Sequence, residues 1–275
     1  MNDVINTINN RGSLRQFSND AVKKEHIDLI INSALRAPTA GNLMFYSIIK
    51  IENKDTLEKL SITCDHQAFI KTASFALIFV VDYKRIYDYF SQNNYLSFCA
   101  EQDIEPQYPG LAELMLGSQD AMAAAQNSVI AAESLNVGSC YIGDIIENYE
   151  VHRDLLNLHP LTYPLSMLVF GNYPKEYTRR ITPKFDRKYI VFDEKYRPLT
   201  QEEITEVYSG YNRFFVENNK TKAKNAAQFL YARKIGSEFN KEMTRSALKA
   251  YDEWLKYAKD SSKIFEEILE YGKNL

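Results

Sequence analysis

The chain has 275 residues, enough for one large domain or two small ones and ample for a sizeable core. Its 33 Lys+Arg against 36 Asp+Glu leave a net charge of -3, so nothing global points to nucleic acid or an anionic membrane as partner. No apolar run is as long as a bilayer span, the first residues lack a signal-peptide core, and three scattered cysteines (Cys64, Cys99, Cys140) frame neither disulfides nor a metal site, which reads as a soluble cytoplasmic protein without metal.

Residues 2–10 are expected as a short helix with Val4, Ile5 and Ile8 on one face. Arg11-Gly12-Ser13-Leu14-Arg15-Gln16-Phe17 follows. If extended, it projects Arg11, Ser13 and Arg15 to one side. Such a set suits phosphate, because guanidinium forks match phosphate oxygens and a hydroxyl adds a hydrogen bond. A solvated basic loop has the same composition. Ile27, Ile30, Ile31, Ala34 and Leu35 stripe a helix over 23–36, which Ala37-Pro38-Thr39-Ala40-Gly41-Asn42 breaks. Strands are expected at Phe45 to Ile51, Phe75 to Val81 and Leu165 to Phe170, with a helix from Asp55 and a loop at Asp65 to Ile70. Residues 83–110 read as helix and irregular loop, a cover over a site.

The stretch Gly117 to Gly143 organises the rest. Ser118 or Asp120 can cap a helix start, Ala121, Met122, Ala124, Ala125, Val129, Ala132 and Leu135 recur at helical spacing, and Gly138 suits a left-handed helix stop. Alanine lets another helix come close, so burial on more than one side is expected. Ser139 to Asp144 is a run in which backbone can approach a ligand, although an ordinary core helix and turn fit the same residues. A helix around 150–157, a turn at Gly171-Asn172-Tyr173-Pro174, a basic stretch (Lys175, Arg179, Arg180, Lys184, Arg187, Lys188) and an edge strand at Tyr189 to Phe192 come next. From Thr200 the pattern is helical, with helices at 202–208, 219–233 and 238–258. Together these elements make an α+β fold.

Arg11 to Phe17 resembles the opening R-x-S-x-R-x-F of nitroreductase-family flavoproteins, and Ala37 to Asn42 resembles that family's A-P-S/T-x-x-N turn. Ala125 to Ile145 is similar to the helix and turn of its larger members, the oxygen-insensitive NADPH nitroreductase and NAD(P)H-flavin reductase group. Leu168 to Pro174 is similar to the later strand and G-x-P turn, and the order is kept over roughly residues 4–200.

This resemblance implies an α/β/α sandwich with a mixed, mostly antiparallel central sheet and a long central helix at a homodimer interface. It implies an FMN-binding domain over residues 1–200 and a helical extension over 201–275 packed on the same domain or dimer. FMN would be the cofactor, and NADPH or NADH the co-substrate. Arg11, Ser13 and Arg15 would bind the FMN phosphate, ribityl chain and pyrimidine edge. Thr39, Ala40 and Asn42 would sit along the flavin, from the partner subunit. Gln67 would hydrogen-bond the ring or ribityl chain. Tyr141, Ile142 and Gly143 would cover the ring face and donate backbone N–H near N5. Lys184 would bind phosphate. Lys220, Lys222 and Lys224 stand where the larger members carry a basic loop for a 2′-phosphate, which favours NADPH; a solvated helix start fits them equally. Gly12, Met44 and Thr182 depart from the family's usual arginine, glutamine and lysine.

The implied activity passes reducing equivalents from NAD(P)H to nitroaromatics, quinones or free flavin in ping-pong order. The alternative is an FMN-sequestering protein with little turnover. A dimeric scaffold without cofactor would leave Arg11, Ser13, Arg15, Asn42 and Gln67 no reason to coincide. No side chain need act as acid or base, so no catalytic residue is named. Cys140 with His152 or His159 could pass for a nucleophile pair, against the simpler reading of a packing cysteine. His26 and His66 stand alone.

Overall fold

The computed structural model describes residues 2–179, 181–215 and 220–273. By its internal contacts the described chain forms two units, one of residues 180–242 and one of the remainder.

The larger unit opens with α1 (Asp3–Asn10), whose first turn is capped by the Asn2 side chain accepting from the Ile5 N–H at 3.0 Å. Then come α2 (Lys24–Ala34), β1 (Tyr46–Ile51), α3 (Lys54–Thr63), β2 (Phe75–Asp82), α4 (Lys84–Gln92) and α5 (Tyr95–Glu101). The central helix α6 (Leu111–Ser134) leads into β3 (Val137–Ile142), α7 (Tyr149–Leu156) and β4 (Thr162–Asn172). The strands pair in the order β1-β2-β4-β3, every pair antiparallel. Among the described residues, the parallel component of the expected mixed sheet is a single bridge, Ser13 to Ser139.

The sheet is a middle layer because both of its faces are apolar. Phe75, Leu77, Phe79, Leu168 and Phe170 point to α2 and α6 on one side. Ala76, Ile78, Val80, Met167 and Val169 point to the other, where Leu57 and Leu60 of α3 meet Leu14 and Phe17. A strand buried on both faces loses the polar-apolar alternation, which is why β2 reads as a continuous apolar run. Within one chain the central helix is buried on one side. Gly117, Ala121, Ala124, Ala125, Val129 and Ala132 are buried, whereas Leu111, Met115 and Met122 on the opposite face are exposed.

Two boundaries differ from expectation here. Helix α6 starts at Leu111, where the Glu113 carboxylate accepts from the Gly110 N–H at 2.8 Å, so Ser118 and Asp120 are mid-helix residues rather than caps. It ends at Ser134, and the left-handed residue is Asn136 (φ 57°), not Gly138, which lies inside β3.

The smaller unit contains α8 (Gln201–Tyr208), whose first turn is closed by the Thr200 hydroxyl and the Glu203 carboxylate, and α9 (Ala226–Lys234). The edge strand expected at Tyr189 to Phe192 is absent: the backbone closes on itself, with Tyr189 N–H donating to Asp186 and both Ile190 and Val191 N–H to Arg187. The helix expected over 219–233 begins at Ala226, with the Asn225 side chain as its cap, so Lys220, Lys222 and Lys224 belong to the preceding loop. Asn219 and Arg180 lie outside the described residues. Helix α10 (Glu238–Lys273) closes the chain, and Trp254 on it is buried against Tyr83, its indole N–H donating to the Pro109 carbonyl at 2.6 Å.

Candidate functional site

Leu14 and Phe17 fix the segment that carries the two arginines. Gly138 of β3 and Gly171 of β4 are paired opposite each other in the sheet. A Cβ on Gly138 would lie 2.2 Å from a Leu14 methyl, and one on Gly171 2.5 Å from the Phe17 ring. Each glycine therefore leaves a notch in the sheet surface, and the two apolar side chains fill the pair of notches. Leu14 N–H donates to the Ser139 carbonyl at 2.9 Å and Ser18 N–H to the Asn172 carbonyl at 2.9 Å, which fixes the register. The alternating residues around the first knob are left outward: Ser13 and Arg15 are exposed and Arg11 is half-buried.

Those residues gather around Cys140. Burial pushes the Cys140 thiol up, while the Arg15 guanidinium, a hydrogen bond from Ser13 and the Arg11 guanidinium all favour its charged form. Arg11, Ser13 and Arg15 thus all act on the same thiol. Arg11 also faces the Tyr141 phenol, which burial nonetheless holds up at about 12. The Arg11 Nε is buried and has no partner among the described residues. A buried guanidinium N–H without an acceptor is costly, on the order of 1–3 kcal/mol, and rare in a native fold. It marks a place where an external acceptor belongs.

The β3 exit borders this locus. Tyr141 and Ile142 alternate, so they face opposite sides of the sheet: Ile142 is 1% exposed in the core and Tyr141 is half-buried, its hydroxyl donating to Gln126 of α6 at 3.3 Å. The Ile142 side chain is thus core rather than ring cover, and only its backbone stays available. Gly143 is exposed, and a Cβ built there meets nothing within 4 Å. Gln67, in the loop after α3, donates its amide N–H to the Cys64 carbonyl at 3.1 Å and to the Asp144 carboxylate at 2.8 Å.

The Thr39–Asn42 turn is held by different anchors. Asp120, 4% exposed on α6, accepts from Ala40 N–H at 3.0 Å and from Phe45 N–H at 3.2 Å, so one carboxylate bridges both ends of the turn. The Thr39 hydroxyl accepts from Met44 N–H at 3.3 Å. Arg85 closes the far side by donating to the carbonyls of Met44 and Tyr46. The Met44 side chain packs against the α6 side of the core. From sequence Asp120 reads as a helix cap and Arg85 carries no signal; their actual partners lie tens of residues away, where no local pattern points to them.

Lys184 lies in the smaller unit, exposed and outside regular structure. So do Lys220, Lys222 and Lys224, in the loop before α9, with Lys222 left-handed at φ 57°. The histidines form no pair with Cys140. His152 is fully buried, its Nδ1 paired with the Ile145 carbonyl at 2.9 Å and its Nε2 with the Thr63 hydroxyl at 2.8 Å. His159 stacks edge-on against Tyr257. Among the described residues no His, Cys, Asp and Glu grouping could hold a metal, and no helix is long and apolar enough to cross a membrane.

The chain as a whole is similar to known proteins. The FMN reductase (NAD(P)H) of Bacillus subtilis is 27% identical over 227 residues, covering 82% of this chain and 86% of that protein. The structure of NfrA2 from B. megaterium matches with a TM-score of 0.76 at 27% identity, over 91% of this chain and 98% of that one. The NADPH:FMN oxidoreductase of Vibrio harveyi, complexed with NAD+, shares the fold with a TM-score of 0.74 at 20% identity, over 91% of this chain and 98% of that one. The profile of the Nitroreductase family spans residues 8–172, more than half of the sequence, and the chain belongs to that family.

Proposed function

We propose that this protein is an FMN-dependent oxidoreductase that draws reducing equivalents from NAD(P)H, with NADPH preferred, and delivers them to small acceptors such as nitroaromatics, quinones or free flavin in ping-pong order. The observation that carries the reading is the convergence of Arg11, Ser13 and Arg15 at Cys140, with a buried Arg11 N–H left for an external acceptor. Its relatives' names, an FMN reductase and NADPH-dependent oxidoreductases, support the same chemistry.

The residues present fit FMN. Two guanidinium groups and a hydroxyl suit a phosphate dianion, the unpartnered Arg11 Nε lacks only an acceptor, and the open space over Gly143 admits a flat ring beside backbone. When bound, FMN supplies the hydride chemistry of both half-reactions. The chain's own work is binding and orientation. Arg11 and Arg15 hold the phosphate and keep positive charge at the site. Ser13 adds a directional hydrogen bond, and Gln67 and the Tyr141–Gly143 backbone fix the ring's position. Lys184 adds a phosphate contact, and Lys220, Lys222 and Lys224 bind the 2′-phosphate of NADPH as point charges.

We read the working unit as a homodimer. The exposed side of α6 carries Leu111, Met115 and Met122, and α1, which lies against α6, exposes Val4, Ile5 and Ile8. An apolar surface of this kind on a central helix asks for a partner. A second copy would bring Thr39 and Asn42 to the flavin.

An anaerobic visible spectrum tests the proposal. A yellow protein that bleaches with NADPH and recovers its colour with a quinone or nitroaromatic is the expected result. Flavin that neither NADPH nor NADH bleaches would replace turnover with sequestration, and a protein that takes up no FMN would end the proposal.

A further inference from the structure

The Gln67 amide is oriented by its surroundings. Its two N–H partners, the Cys64 carbonyl at 3.1 Å and the Asp144 carboxylate at 2.8 Å, can only accept hydrogen bonds. The amide therefore cannot be turned over: its nitrogen must face inward and its oxygen outward. No protein donor reaches that oxygen among the described residues. Gln67 is half-exposed, so the oxygen is an open acceptor at the rim of the site.

Asp144 occupies the position immediately after Gly143, in the turn that leaves β3. That turn is itself held rigidly. Asn148 donates to the Thr63 carbonyl at 2.8 Å, and His152 pairs with both the Ile145 carbonyl and the Thr63 hydroxyl. The Ser246 hydroxyl of α10 donates to the Ile146 carbonyl at 2.6 Å and accepts from Tyr149 N–H at 2.8 Å. The carboxylate that orients Gln67 is thus mounted on a turn fixed to α3, α7 and α10.

We propose that Asp144 is a positioning residue that locks Gln67 with its carbonyl oxygen outward, so that the site offers an acceptor, and never an N–H, to the flavin at this point. This rests on the FMN reading above and deepens it: Gln67 selects a hydrogen-bond donor of the cofactor, a ring N–H or a ribityl hydroxyl. The acidic side chain acts through Gln67 and not through its charge.

The test titrates FMN into the full chain and reads the dissociation constant from flavin fluorescence. Asp144→Ala leaves the amide held by the Cys64 carbonyl alone and should weaken FMN binding about tenfold, the scale of one net hydrogen bond. Asp144→Asn keeps an acceptor oxygen for the Gln67 N–H and should stay within about twofold of the parent. In a Gln67→Ala background, Asp144→Ala should add nothing. Gln67→Glu should weaken binding at neutral pH, because two carboxylates then face each other, and adding Asp144→Asn should restore part of it by supplying an N–H from the other side, the Cys64 carbonyl still facing the new carboxylate. This last pair decides the matter even where Asp144→Ala lacks a cooperative unfolding transition. Wild-type affinity in Asp144→Ala, Asp144→Asn as weak as Asp144→Ala, additive losses with Gln67→Ala, or no restoration in the exchanged pair would each overturn the proposal. Failure of the parent protein to bind FMN would instead overturn the cofactor reading.

Discussion

Arg11 couples stability to binding. Its buried Nε lacks an acceptor, so the ligand-free fold carries the cost of a desolvated donor. Replacing Arg11 by Met keeps the length and removes the N–H. We expect the ligand-free protein to gain about 1 kcal/mol in a urea titration. FMN affinity should fall about 10- to 100-fold, the loss of a charge-assisted contact, as read by flavin fluorescence. His152 sets the pH response. Burial holds its pKa below the ordinary imidazole value, and burial does the same to His159. The unfolded chain then binds more protons than the folded one as pH falls below about 6.5. Their contribution to stability is complete above that pH and is lost on acidification toward the folded pKa values. Urea midpoints measured from pH 7.5 down to 5 should decline, and His152→Gln should reduce that slope while leaving the share of His159. Glu150, held at about 2 by Arg245, loses its contribution only in stronger acid.

At the scale of elements, this chain divides labour between asparagine and glycine. Asn94, Asn136, Asn148 and Asn157 take the left-handed positions beside helix ends, where glycine is the usual occupant. Glycine is released for close approach: Gly117 under Val81, Gly138 under Leu14 and Gly171 under Phe17. That exchange explains why the end of α6 was misread from sequence, since Gly138 looked like a stop signal and Asn136 did not. Periodicity made α2, β2, β4 and the body of α6 legible, because their burial repeats locally. Alternation likewise exposed the Arg11, Ser13 and Arg15 set. What local pattern could not convey was the pairing of distant polar groups. Asp120 to the Ala40 and Phe45 amides, and Asp144 to Gln67, span so many residues that only the fold brings them together. Asp120 should be costly to alter. In Asp120→Ala two amides lose their acceptor, and we expect a loss of about 3 kcal/mol in thermal or urea unfolding. Asp120→Asn keeps one acceptor oxygen and should lose roughly half of that.

For the whole molecule, the exposed face of α6 is the feature that a lone copy leaves unexplained. Replacing Met115 and Met122 by Glu puts charge on that face without touching the buried alanines. We expect sedimentation to show the parent as a dimer and the double variant as a monomer, with FMN binding lost alongside, because Thr39 and Asn42 would no longer meet the flavin of a second copy. A double variant that stays dimeric would remove α6 from the interface. The seating of Leu14 and Phe17 in the notches over Gly138 and Gly171 bears on how such a molecule acquires its cofactor. The arginine-bearing segment is stitched to the sheet by apolar contacts and two backbone hydrogen bonds, none of which involves a ligand. Its conformational entropy is surrendered when the sheet forms, before any flavin arrives. A segment seated in this way should make loading a docking event rather than a folding event, so that far-ultraviolet circular dichroism stays unchanged as FMN is titrated into flavin-free protein.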